Sequence, residues 1–274
     1  MFGKLMKYEM NYLIRIFAPM WVVVMALCAL SRIVVRPEFD NMTYIEESFL
    51  PVIVIVLAVI ALITMLVVTA VVLIQRFYKG MYGDEGYLMF TLPVTTGGLI
   101  HSKALSAMVM LLVTELIALA GILLMISYPV LWRQMGMTFG EAIKMMLELN
   151  NLTTAQAAAV TFWAIIAGIM TVVQGIYTIY LAISLGQLWK KHPIAGAIIA
   201  YYVVMLVVGA VQSVLANTFG GSALELILKH MNGTMNYSAV FAIVMIVMTL
   251  YLLVMTVIAF LGTKLILDKK LNIQ

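Results

Sequence analysis

The sequence predicts an all-α integral membrane protein with six transmembrane helices, an N-terminal interfacial helix and a short cytoplasmic helix. Three observations predict it. Hydrophobic residues make up 65% of the 274 positions and charged residues only 10%, against about half and about a quarter in a soluble domain. Mean hydropathy is +1.11, and 16 Lys and Arg with 12 Asp and Glu cannot cover the surface of a soluble chain of this length. The apolar residues also fall into six runs, each close to the 20 or so residues that a helix needs to cross hydrocarbon.

The runs are Ile16 to Val35, Leu50 to Ile74, Ala104 to Leu131, a stretch within Ala155 to Leu188, Ile194 to Ala216, and Ala239 to Leu261. Leu, Ile, Val, Met and Ala dominate them, without the period-two alternation of a membrane barrel strand. In lipid the backbone must satisfy its own hydrogen bonds, so such runs become helices. Several exceed the minimum length, which predicts tilt or extension beyond the bilayer.

Before the first run, Lys4, Lys7, Asn11 and Arg15 recur at helical spacing, opposite Phe2, Met6, Met10, Leu13 and Phe17. That pattern predicts an amphipathic helix over residues 1–15, lying in the interface; the alternative is a simple N-terminal extension of the first span with a solvated face. Basic residues followed by an apolar run also resemble a signal peptide. Ala26 to Ser31 make a poor cleavage site and the run is long enough to span, so the segment is expected to be retained.

Orientation follows from the basic residues. Eleven lie on one side: Lys4, Lys7, Arg15, Arg76, Lys79, Lys103, Lys190, Lys191, Lys264, Lys269 and Lys270. Five lie on the other: Arg32, Arg36, Arg133, Lys144 and Lys229. The richer side faces the cytoplasm, which places both termini there and suits a bacterial cytoplasmic (inner) membrane. The net charge of +4 reflects these flanking residues and not a nucleic-acid surface. The outer segments, roughly 36–49, 132–154 and 217–238, are too short for separate domains, so 1–274 is read as one membrane domain. A short helix over Phe139 to Leu149 is expected on the outer surface.

The longest polar stretch on the basic side runs from Arg76 to Gly98. Gly80, Gly83 and Gly86 punctuate it. Asp84 and Glu85 suit the first turn of a helix, Tyr87, Leu88, Met89, Phe90 and Leu92 supply apolar bulk, and Pro93 ends the element. A short amphipathic helix follows, suited equally to lying on the membrane or to entering a groove on a soluble partner.

The segment Gly83 to Pro93, GDEGYLMFTLP, resembles the loop between the second and third spans of bacterial type-2 ABC transporter permeases. Six spans, cytoplasmic termini and an N-terminal elbow helix extend the resemblance to the whole chain. It implies that residues 76–98 form the cytoplasmic coupling loop and that Asp84, Glu85, Tyr87, Leu88, Phe90 and Pro93 dock on a separate ATP-binding cassette ATPase subunit. It further implies a second permease chain, identical or sister, and an ATP-driven transporter, an exporter. The chain has no G-x-x-x-x-G-K-[ST] stretch, so ATP and Mg belong to the partner and no cofactor is expected here.

Glu115 is the one acid inside the predicted spans. Counted from Lys103 it lies about 18 Å deep, where an ionised carboxylate costs at least about 2.5–3.5 kcal/mol. It is expected to face the bundle interior or an interface, as a substrate contact or proton site, or as a neutral Glu bridged to Gln174 or to a Thr or Tyr nearby. The three histidines are dispersed and form no H-E-x-x-H motif, so no metal site is expected. The lone Cys28 excludes an intrachain disulfide.

Three other functions compete. An intramembrane protease needs a Ser–His pair or two membrane aspartates, and no aspartate lies within the predicted spans. An ion-coupled secondary transporter usually shows several buried ionisable groups or broken helices, and only Glu115 qualifies. A non-transporting membrane scaffold or sensor conflicts with nothing in the sequence.

Overall fold

The computed structural model describes residues 2–34, 49–91, 93–126, 141, 154–189, 191–218 and 237–271. The expected outer helix over Phe139 to Leu149, and the outer segments around it, lie outside the described residues apart from Glu141. The described chain contains α1 (Phe2–Val34), α2 (Phe49–Tyr82), α3 (Asp84–Phe90), α4 (Thr96–Ile126), α5 (Thr154–Gly186), α6 (Pro193–Asn217) and α7 (Tyr237–Leu271), with no strand among these residues.

All of these except α3 are long and apolar enough to cross a bilayer, giving six spans. Each contains or overlaps one of the six apolar runs, and the chain is a multi-pass membrane protein. The helices extend past the apolar runs because backbone hydrogen bonding continues where hydrophobicity stops. On α2, Leu66, Val67, Val71 and Ile74 are exposed; lipid takes the place of a protein partner for such side chains.

The N-terminal stretch and the first apolar run belong to one helix. Residues 2–34 form a single uninterrupted helix with Pro19 inside it, so the amphipathic stretch continues into the first span without a break. Gly3 to Ala18 contains no proline and one flanking glycine, so nothing local stops the helix before it enters the apolar run.

The chain divides into two compact units, residues 1–76 with 105–151, and residues 77–104 with 152–274. The first unit packs α1, most of α2 and the later part of α4. Its core joins Val24 and Cys28 of α1, Ala58, Leu62 and Met65 of α2, and Ala118 of α4. Trp21 Nε1 donates to Thr114 Oγ1 at 3.1 Å, and Thr114 Oγ1 donates to the Met110 carbonyl at 2.8 Å. These bonds satisfy polar groups that water cannot reach.

An ion pair closes the other end of this unit. Arg76 Nε donates to Glu9 Oε2 at 2.8 Å, with the Glu9 side chain 3% exposed. The Arg76 guanidinium also lies over the Tyr12 ring, 4.3 Å from its centroid. In the second unit α5 packs against both α6 and α7. Tyr251 of α7 donates through its hydroxyl to the Val208 carbonyl of α6 at 2.7 Å.

Candidate functional site

The short helix α3 occupies Asp84 to Phe90, between the second and third spans. Its entry is shaped by Gly83. The Gly83 amide donates back to the Tyr78 carbonyl at 3.2 Å, a wide closing turn, and the Gly86 amide donates to the Gly83 carbonyl at 2.8 Å. A methyl group on Gly83 would stand 2.8 Å from the Lys79 carbonyl oxygen, so the sharp change of direction needs a residue without Cβ. The helix ends at Phe90 with Thr91 as its cap, and Pro93 follows on the exposed side of the chain. Within it Glu85 is exposed and Phe90 half-buried. The side chains of Asp84, Tyr87 and Leu88 lie outside the described set, although their backbones belong to the helix.

The spans on either side of α3 are fastened by a cluster in the second unit that the sequence did not reveal. The Tyr82 hydroxyl, at the last residue of α2, donates to Ser184 Oγ of α5 at 2.7 Å. Ser184 Oγ in turn donates to the Tyr180 carbonyl at 2.8 Å. Phe77 stacks on Tyr180 with ring centroids 3.6 Å apart and planes 8° from parallel. Tyr180 meets Tyr177 edge to face, and the Tyr177 hydroxyl shares a hydrogen bond with His101 Nδ1 of α4. His101 stacks on Phe260 of α7 at 4.3 Å. This continuous set of contacts joins α2, α4, α5 and α7 where α3 leaves and the chain re-enters.

Lys103 completes the cluster. Read from sequence it is an orienting charge at the mouth of the third span. In the structure it is only 5% exposed, with its ammonium against the backbone of α2, where a methyl on Gly80 would stand 2.5 Å from Nζ. Glycine at position 80 thus makes room for a buried lysine. Periodicity could not have found this cluster, because Tyr82, His101 and the Tyr177–Ser184 stretch of α5 are far apart in sequence and each looks like an ordinary interfacial residue.

Glu115 and Gln174 belong to different units. Gln174 is buried, and its Nε2 donates to Thr178 Oγ1 one turn along α5 at 2.9 Å, so its amide is satisfied locally. Glu115 is exposed on α4 beside exposed Leu116 and Leu119. Among the described residues no group of three His, Cys, Asp or Glu side chains is placed to hold a metal ion.

Comparison of the chain with protein-family models, with curated proteins and with solved structures gave no match. The arrangement therefore speaks through its own geometry. What the geometry gives is a seven-residue helix between two spans, with an exposed acid at Glu85.

Proposed function

We propose that this chain is the membrane-spanning permease subunit of an ATP-driven ABC transporter, an exporter, working with a separate ATP-binding subunit. The observation that carries the reading is α3. It is a short helix bounded by Gly83 and Thr91, joined directly to α2 and, through five residues, to α4. Its composition of leading acids, aromatic residues and a following proline resembles the coupling helix of type-2 permeases.

The mechanism needs no catalytic residue on this chain. ATP binding draws two ATPase subunits together, and α3, seated in a groove on one of them, moves with it. Tyr82 and Phe77 hand that displacement to α5 through Ser184 and Tyr180, and His101 hands it to α7 through Phe260. The spans then alternate the side from which substrate is reached.

The test is co-purification of the chain with an ATP-binding cassette ATPase subunit from the same source, together with substrate-stimulated ATPase activity. Buried aromatic anchors at such contacts contribute about 2 kcal/mol or more each, so Tyr87→Ala with Phe90→Ala should weaken assembly by more than about tenfold. Neither residue lies in a span, so membrane insertion should be unchanged. Undiminished association and coupling would remove the reading.

A further inference from the structure

The first four turns of α1 carry a feature that the transport reading leaves unused. Lys4, Lys7, Tyr8, Asn11 and Arg15 are all exposed. At about 100° per residue these five positions fall within an arc of about 100° on one helix face. The opposite face is occupied: Glu9 is 3%, Leu13 2% and Phe17 0% exposed. The only acid in this stretch is thus turned away from the lysines and bound to Arg76, and the outward stripe of cations is not neutralised by its own helix.

Its height in the membrane is set by the continuity of α1. Counting back from Val34, about 20 residues are needed to cross the hydrocarbon, which brings the boundary to Arg15. Lys4, Lys7, Tyr8 and Asn11 then run through the headgroup layer, and Arg15 marks its inner edge. Tyrosine is an aromatic that favours this layer, and Tyr8 is 75% exposed there. Because the Glu9–Arg76 pair clamps the buried face to α2, the stripe is presented in a fixed orientation.

We propose that this face of α1 is a binding site for anionic phospholipid headgroups. Lys4, Lys7 and Arg15 contact phosphate and headgroup oxygens, Asn11 adds a hydrogen bond between them, and the Tyr8 ring lies beside the glycerol region. The inference rests on α1 spanning the membrane and is independent of the ATP-coupled reading.

The experiment titrates the purified full chain in neutral detergent with phosphatidylglycerol or phosphatidylcholine, counting bound lipids by native mass spectrometry. Phosphatidylglycerol should bind at least about tenfold tighter than phosphatidylcholine, and added salt should erode the difference. Lys7→Gln alone should cost about fivefold, following roughly 1 kcal/mol per basic residue. The Lys4→Gln, Lys7→Gln, Arg15→Gln variant should lose the preference altogether. A control of equal charge change, Lys191→Gln, Lys264→Gln, Lys269→Gln, should keep it. Equal binding of the two lipids by the unaltered chain would overturn the proposal, and so would an equal loss in the control, which would reduce the effect to net charge. Full displacement of the lipid by millimolar inorganic phosphate would also overturn it, by showing a free-anion site instead.

Discussion

Gly80 illustrates how much one missing methyl group decides. It faces the buried Lys103 ammonium at a distance that no Cβ can share. Gly80→Ala should therefore displace the lysine and lower stability by about 1 kcal/mol, the low end of overpacking costs, because the atoms met are the flexible end of a side chain and not backbone. Gly168 on α5 has open space around its Cα, so Gly168→Ala should be neutral or slightly stabilising through helix propensity. Thermal unfolding of the two variants in detergent checks the contrast, and equal melting temperatures would refute it. Glu115 presents the reverse situation, a polar group on a surface whose neighbours are apolar. Glu115→Gln keeps most hydrogen-bonding capacity and should leave transport-coupled ATPase activity near normal. Glu115→Leu should insert at least as well, because it removes a residue costing about 2.5–3.5 kcal/mol at mid-membrane, while lowering activity if another chain meets the carboxyl group. Full activity of the leucine variant would show that no such contact matters.

At the scale of elements, α1 and α2 are held together by contacts of opposite kinds. Near one end lies an apolar core around Cys28 and Leu62; near the other is the Glu9–Arg76 pair with Tyr12 beneath the guanidinium. Removing one partner of a buried pair leaves the other charge uncompensated. Glu9→Leu should accordingly destabilise the chain by about 3 kcal/mol, while Glu9→Leu with Arg76→Met should recover much of the loss. A double-mutant cycle on unfolding in detergent measures it, and additive effects would show that the pair contributes nothing. None of this was visible in the residue pattern. Arg76 counts as a flanking cation and Glu9 as one acid in a basic helix until the fold brings them together over 67 positions of sequence.

For the whole molecule, the expected topology is six spans with both termini in the cytoplasm. The spans themselves are present; the direction is the proposal that the basic bias of eleven to five supports. Single-cysteine variants at Gly98 and Asn232, made in a Cys28→Ala background, should label from opposite sides of the membrane. Labelling from the same side would rule the arrangement out.

The number, order and approximate limits of the spans could be read directly from the sequence. A bilayer imposes one length and one backbone solution on any apolar run, and the six runs meet both conditions without help from distant residues. The break at Gly83 to Pro93 was legible for the same reason: acids, glycines and a proline act on their own backbone. Only the tertiary structure decided which polar residues meet. Tyr82 with Ser184, His101 with Tyr177, Lys103 against Gly80 and Glu9 with Arg76 all depend on how separate helices are rotated and shifted against one another. It also decided that α1 runs unbroken from Phe2 to Val34. Inside lipid, hydrophobicity barely distinguishes one helix face from another, so rotation is set by packing and by these few polar contacts, which no local pattern in the chain records.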